Sequence, residues 1–348
     1  MRIGLYLPNW VGDAVMATPA IKQLRVAQPE ATLVGIGRPV IEQTLRGLPE
    51  LDEFVVTTKA KSKWDQVKTY LRDAKLVREQ SLDAIVLMTN SFRTAFVSKL
   101  AGVKQRVGFV RDGRSWLLTD RLQAADCKTP HSVVDDYLKL MAPLGASTER
   151  LSLQLTVDAD AQQLWDGIRQ EQGIGPQYIV MNTGGAFGPA KHWGDEKFAE
   201  LAMGLSAERQ LPVVLICGPT EAVNARNIVA IVNEQSPQVP IFSLADSPMS
   251  LGLSKAVVAG SEMMISTDSG PRHFAAAFNK PVISIYGPTH QAWSENGHAL
   301  DLPVQHQVDC GPCQKRECPL GHHRCMNDLS AEVVLSQIQN RFLPQKAA

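Results

Sequence analysis

The stretch Met263-Met264-Ile265-Ser266-Thr267-Asp268-Ser269-Gly270-Pro271-Arg272-His273-Phe274-Ala275-Ala276-Ala277-Phe278 carries two patterns in succession. The opening Met263-Met264-Ile265 is apolar, as the end of a buried strand is. The closing Phe274-Ala275-Ala276-Ala277-Phe278 reads as helix. Between them Ser, Thr, Asp and Gly crowd a strand-to-helix junction. Such a junction leaves backbone N–H groups without intrahelical partners. Those groups, with the positive end of the helix dipole, favour a phosphate. Gly270 permits close backbone approach, and Pro271 suits a first helical position. An ordinary capped helix is the other reading of the same residues.

Working outward, the strand-then-helix pattern recurs. In the first half, residues 3–7, 32–36, 53–56 and 84–87 read as strands, with helical patterns over 15–27 and 63–80. It restarts at 178–182, 213–216, 241–243, 263–266 and 282–285, with helical patterns over 197–208, 222–234 and 250–259. An amphipathic run over 331–340 predicts a last helix packed on the body. Strands separated by helices predict right-handed βαβ units and parallel sheets. A polar region over 158–175 separates the halves, so the boundary is placed within 155–176, giving domains 1–160 and 161–348. The expected class is α/β, with two Rossmann-like domains facing across a cleft. Open parallel sheets bind ligands beyond the carboxyl ends of their strands.

Composition narrows the function. The 348 residues are 44% hydrophobic and 20% charged, as in a soluble globular protein. Formal net charge is zero, although residues 1–160 carry about four more basic than acidic side chains and the rest the reverse. No concentrated basic stripe with interleaved aromatics is present, which argues against nucleic acid. The N-terminus enters a strand-like run directly, and no apolar stretch approaches the roughly 20 residues that span a bilayer. The expectation is a cytosolic chain. The first strand is followed by Pro8-Asn9-Trp10-Val11-Gly12-Asp13, not by G-x-G-x-x-G. That weakens a dinucleotide oxidoreductase.

Three loops at predicted strand ends hold candidate chemistry. Asp13 stands between Gly12 and the first helical pattern, either as a helix cap or as a general base. Asn182-Thr183-Gly184-Gly185-Ala186-Phe187-Gly188-Pro189-Ala190-Lys191 offers close backbone approach, the Thr183 hydroxyl and a compact cation at Lys191. It lacks the G-K-[ST] ending of a Walker A loop. Paired with Ser269 and Gly270, it forms a two-sided clamp for a diphosphate. Glu221, in Gly218-Pro219-Thr220-Glu221, either accepts from ribose hydroxyls or balances a helix dipole.

These segments resemble a known family. Trp10-Val11-Gly12-Asp13 with Met16-Ala17-Thr18-Pro19, the loop Gly185 to Trp193, Thr267-Asp268-Ser269-Gly270 with His273, and Tyr286-Gly287-Pro288-Thr289 are similar to the ADP-heptose:lipopolysaccharide heptosyltransferases. So are Asn90-Ser91-Phe92-Arg93, Ala101-Gly102-Val103, Arg106, Gly108, Arg111 and Leu117-Leu118-Thr119-Asp120. The likeness runs in order over roughly residues 3–290.

The resemblance implies a GT-B fold and inverting transfer from ADP-L-glycero-β-D-manno-heptose to the inner-core heptose on lipid A–Kdo. It implies work at the cytoplasmic face of the inner membrane, with peripheral membrane contact. It makes Asp13 the base for the acceptor hydroxyl and Lys191 the diphosphate ligand, with Thr183 and Gly184 beside it. Ser269 and Gly270 offer backbone N–H groups to the phosphates. Asp268 orients the donor sugar, His273 sits on the pyrophosphate side, and Glu221 holds the ribose. No cofactor is implied for catalysis. Arg93, Arg106, Arg111 and Arg114 are candidates for acidic groups of the acceptor, or a solvated basic surface. The rivals are a same-family transferase with another donor or acceptor, and a non-catalytic nucleotide-binding module.

Cys310, Cys313, Cys318 and Cys325 follow the spacing C-x2-C-x4-C-x6-C, with His322 and His323 between the last two. Such spacing predicts a structural zinc or iron–sulfur site first, then disulfides, then free thiols. Cys127 and Cys217 stand apart, and Cys217 reads as a buried strand residue.

Overall fold

In a computed structural model of the chain, residues 1–58, 65–126, 128–185 and 187–342 are described. Cys127 and the first two residues of the helical pattern over 63–80 lie outside them. The chain divides into two compact units. The N-terminal unit comprises Met1–Thr156 with Ala292–Gly297, and the C-terminal unit comprises Val157–Gln291 with His298–Ala348.

The N-terminal unit is built on strands β1 (Arg2–Tyr6), β2 (Thr32–Gly37), β3 (Glu53–Val56), β4 (Ala84–Leu87), β5 (Gln105–Phe109) and β6 (Asp120–Leu122). They are parallel and ordered β3-β2-β1-β4-β5-β6. β1 and β4 are the central strands, so both their faces are covered and their sequences are nearly unbroken apolar runs. β5 and β6 were not foreseen. β5 opens on Gln105-Arg106, and β6 is a three-residue edge strand, so neither shows a continuous apolar signal.

The C-terminal unit repeats the plan with β7 (Ile179–Asn182), β8 (Val213–Ile216), β9 (Ile241–Ser243), β10 (Met263–Thr267), β11 (Val282–Tyr286) and β12 (Asp301–Gln305). The order is β12-β11-β10-β7-β8-β9, all parallel. β12 escaped the sequence reading because Pro303 interrupts it. Proline is tolerated there because β12 is an edge strand. The core of this unit joins β7, β8, β10 and β11 to Phe198, Leu201, Leu205, Ile228 and Val232 from two covering helices. The last helix, Ala331–Phe342, adds Val334 and Ile338 to the same core.

Each sheet therefore has the doubly wound order 3-2-1-4-5-6 when its strands are counted from its own start. In this order the chain leaves neighbouring central strands in opposite directions. The crevice opens at that switch point, beyond the strand C-termini. The switch falls between β1 and β4 in one unit and between β7 and β10 in the other. Among the described residues no helix is long and apolar enough to cross a membrane.

Candidate active site

The switch point of the C-terminal unit brings together the two loops that the sequence singled out. In register, Asn182 at the end of β7 lies beside Ser266 in β10. The Asn182 amide nitrogen is 2.9 Å from the Gly184 carbonyl, 3.1 Å from Ser266 Oγ and 2.8 Å from Ser269 Oγ. One amide thus ties the glycine-rich loop to the Ser269–Gly270 turn. Gly185 backs onto Ser269 so closely that an added Cβ would lie 2.7 Å from the serine Cβ. Asn182 was not foreseen as a site residue, because its role depends on two strands meeting in register.

Lys191 ends a short 3-10 turn, Pro189–Lys191. Its ammonium donates to Asp268 Oδ2 at 2.5 Å and to the Asp268 carbonyl at 2.7 Å. It also sits 4.4 Å from the centre of the Phe187 ring. The Asp268 carboxylate accepts from Thr289 Oγ1 at 2.6 Å, and its other oxygen is 3.5 Å from Arg272 Nε. Burial alone would raise the Asp268 pKa. The charges of Lys191 and Arg272 outweigh it and hold the carboxyl well below its ordinary range. Burial draws the Lys191 pKa down, opposed by Asp268. Arg272 is itself fully buried and anchored to Asp301 at 2.9 Å. His273 is buried, and burial followed by the Arg272 charge pushes its pKa far below the usual value, so it stays neutral.

Beside Lys191 opens a pocket of about 630 Å³, lined by Gly184, Gly185, Lys191, Thr220, Glu221 and Asn224 among others. That volume is typical of a site for a small ligand. Glu221 is at the N-cap of the helix Ala222–Gln235 but makes no side-chain cap bond. Instead its carboxylate accepts from the Gly218 N–H at 3.1 Å. The absence of a side chain at Gly184 leaves room for it, since a Cβ there would meet Glu221 Cγ at 2.2 Å. Thr183 lies under the loop, and its hydroxyl is buried without a hydrogen-bond partner. Asn224 is fixed by Asp195 at 3.0 Å, and His192 reaches the same carboxylate at 3.2 Å. His323 and Asn327, from the cysteine-rich segment, complete part of the wall. Asn224, His323 and Asn327 were not foreseen as wall residues, since each approaches from a distant part of the chain, whereas His192 directly follows Lys191 in the loop already singled out.

At the switch point of the N-terminal unit, the pattern over 15–27 resolves into two helices, Val11–Met16 and Thr18–Ala27. Pro19 lacks the N–H that one continuous helix would need. Asp13 therefore sits in the first turn of a helix rather than before it, and Trp10 is the N-cap. Burial pushes the Asp13 pKa up to about 6. Tyr137, from the helix Val133–Met141, is close enough for the Asp13 charge to add to the burial that raises its own pKa.

The four arginines are placed differently from one another. Arg93 pairs with the buried Asp73 and lies 5.5 Å from the centre of the Tyr70 ring. Arg106 donates to the carbonyls of Leu117, Val103 and Lys104. Arg114 is fully buried and donates to the carbonyls of Phe109, Thr89 and Ser91 and to Asn90 Oδ1. Burial pulls its pKa down to about 10. Arg111 is partly exposed.

Cys310, Cys313, Cys318 and Cys325 are free thiols that line one small cavity. Among the described residues, no group of three or more His, Cys, Asp or Glu side chains is arranged to hold a metal ion as it stands.

Comparison with known proteins supplies the family. Residues 70–324 match Glycosyltransferase family 9 (heptosyltransferase). Lipooligosaccharide heptosyltransferase 2 of Campylobacter jejuni (strain 81116) is 26% identical, with 99% of this chain and 100% of that protein covered. Lipopolysaccharide heptosyltransferase 2 of Escherichia coli K12 is 24% identical, with both chains covered in full. The structure of E. coli ADP-heptose LPS heptosyltransferase II superposes with a TM-score of 0.81 at 24% identity, again over the whole of both chains, and shares this GT-B fold. A family match over most of the chain, on a doubly wound fold, makes this protein a glycosyltransferase belonging to family 9, the heptosyltransferases.

Proposed function

We propose that the chain transfers heptose from ADP-L-glycero-β-D-manno-heptose to the inner-core heptose of lipopolysaccharide, inverting the anomeric centre. The observation that carries this reading is the Lys191–Asp268 pair at the β7/β10 switch, beside a pocket of nucleotide size. The likeness to heptosyltransferases 2 supports this choice of donor and acceptor.

In the transfer, the acceptor hydroxyl forms the new bond to the anomeric carbon as the bond to the diphosphate oxygen breaks. ADP leaves with that electron pair. Lys191 and the backbone N–H groups of Ser269 and Gly270 meet the charge that develops on the diphosphate. Fixed donors of this kind need no reorganisation as the reaction proceeds. Asp268 acts through Lys191, because its carboxylate is engaged with protein partners on both oxygens. Glu221 accepts from the ribose hydroxyls, and Thr183 and Gly184 line the phosphate side. Neutral His273 packs beneath the pyrophosphate.

Asp13 takes the proton of the acceptor hydroxyl. Its raised pKa suits a base working near neutral pH. For the acidic groups of the acceptor, Arg111 carries the reading better than Arg93, whose guanidinium pairs with Asp73, or than Arg106 and Arg114, whose guanidinium groups are engaged by carbonyls. Exposed Phe92 and Trp116, with ring centres 6.3 Å apart and Lys99 over the Trp116 ring, support contact with a lipid-borne acceptor at the membrane surface. The four cysteines take no part in the transfer step.

Calorimetric titration with ADP and UDP tests the donor class. ADP is expected to bind at least about tenfold more tightly, a difference of about 1.4 kcal/mol. Equal affinities would remove the assignment of the donor.

A further inference from the structure

The cysteine-rich segment faces two ways. On one side, Cys310, Cys313, Cys318 and Cys325 surround a cavity of about 30 Å³, with His322 at its edge. That is room for a single small occupant. His322 Nδ1 accepts from the Arg324 N–H at 3.0 Å, so Nε2 carries the ring proton. This nitrogen lies 3.9 Å from Cys310 Sγ and so faces the sulfur as a donor. A ring held in this way can donate to the Cys310 sulfur and leaves the four cysteines as the candidate ligands. Donors directed at cysteine sulfur are what a metal thiolate requires from its surroundings. Lys315 and Arg316 flank Glu317 in the same segment, and Arg324 pairs with Asp328 at 3.0 Å.

On its other side the segment holds the donor pocket together. The Arg316 carbonyl accepts from the Ala190 N–H at 3.1 Å, next to Lys191. Gly188 lies so close to that carbonyl that a Cβ would sit 2.7 Å from it. The Gln314 N–H donates to the Pro288 carbonyl at 2.8 Å, next to Thr289. His323 and Asn327 then line the pocket itself.

We propose that Cys310, Cys313, Cys318 and Cys325 bind one thiophilic metal ion, zinc or ferrous iron, in tetrahedral sulfur coordination, and that the closed loop buttresses the wall of the nucleotide pocket. Binding draws the four sulfurs inward to about 2.3 Å from the ion, and the free energy of coordination is spent on ordering the loop. The ion is structural and touches no reacting group. The metal site stands independently of the proposed transfer, and only the nucleotide readout rests on that reading.

The test begins with the full-length protein purified in reductant without chelator. Elemental mass spectrometry is expected to find about one zinc or iron per chain. Chelator-treated protein titrated with Co²⁺ is expected to develop the visible bands of a tetrahedral thiolate complex. The variant Cys313→Ser/Cys318→Ser is expected to lose both signals, while Cys217→Ser keeps them. Amide exchange over residues 187–194 is expected to quicken on metal removal and slow again with added Zn²⁺. ADP affinity is expected to fall about tenfold or more in the stripped protein and to return with Zn²⁺. Only trace metal with no cobalt bands would overturn the site. Stoichiometric metal with unchanged exchange over 187–194 would overturn the buttress. If ADP fails to bind either form while metal and exchange behave as expected, the reading of the donor fails and the metal site stands.

Discussion

Lys191 Nζ lies 2.5 Å from Asp268 Oδ2, and the two side chains are only 11% and 8% exposed. Asp268 is shared with Thr289 and faces Arg272, so the lysine is held in one place by a carboxylate that is itself anchored. A cation fixed in this way meets developing negative charge without reorganising.

Lys191→Ala is therefore expected to lower kcat by about 10²–10³, with weaker binding of the donor. Lys191→Arg restores little, because the contact suits a compact ammonium. Folding stability falls by about 1–3 kcal/mol, since Asp268 keeps Thr289 and Arg272 as partners. Steady-state kinetics and thermal denaturation of the same samples separate the two effects.

The proposed role of Asp13 ties activity to pH. Its carboxyl must be ionised to act as a base, and burial lifts its pKa to about 6. kcat/KM is expected to fall as pH drops below about 6. The sign for stability is opposite. The folded state holds this proton more tightly than the unfolded chain, so the charged carboxylate destabilises the fold above pH 6, and the penalty fades as pH falls toward 4. Asp13→Asn should abolish transfer, leave ADP binding intact, and match or exceed the wild type in stability at pH 8 by up to about 3 kcal/mol. Full turnover in that variant would remove Asp13 from the chemistry.

Asn182 offers two amide protons to three acceptors. Asn182→Ala removes the tie between the glycine-rich loop and the Ser269–Gly270 turn. The expected loss is about 2–3 kcal/mol of stability and about tenfold in ADP affinity. Asn182→Asp should be worse, because a carboxylate only accepts. Denaturation curves and ADP titration measure both.

Gly184 makes room for Glu221. In Gly184→Ala the new Cβ displaces the Glu221 side chain from the pocket wall. The variant should bind ADP as weakly as Glu221→Ala does, and the double variant no more weakly than either single one. Additive losses would show that the glycine acts independently of Glu221.

Much of the architecture was legible because central parallel strands must be apolar on both faces. The runs at β1, β4, β7, β8 and β10 announce themselves in that way. The edge strands β6 and β12 carry a weaker pattern, and Pro303 disguises the second. Within the site, Gly184, Lys191 and the Asp268–Gly270 turn could be read from loop chemistry at strand ends. Asn182, Thr289, Asn224 and His323 could not, because each acts on a segment far away in sequence. The same reason hides the employment of Arg106 and Arg114, whose guanidinium groups are met by carbonyls of neighbouring loops. The segment Ala292–Gly297 belongs with the N-terminal unit through Ser132, which donates to the Glu295 carbonyl at 2.5 Å, and Arg150, which pairs with Glu295 at 2.6 Å. Only the folded chain reveals such partners.

The central claim is heptosyl transfer from an ADP-linked donor, and the mass of the product tests it most directly. The purified protein is incubated with ADP-L-glycero-β-D-manno-heptose and heptosyl-Kdo2-lipid A. The acceptor is expected to gain one heptosyl unit, with release of one ADP, and the Asp13→Ala protein is expected to leave it unchanged. An acceptor of unaltered mass in the presence of active, ADP-binding wild-type protein would contradict the account.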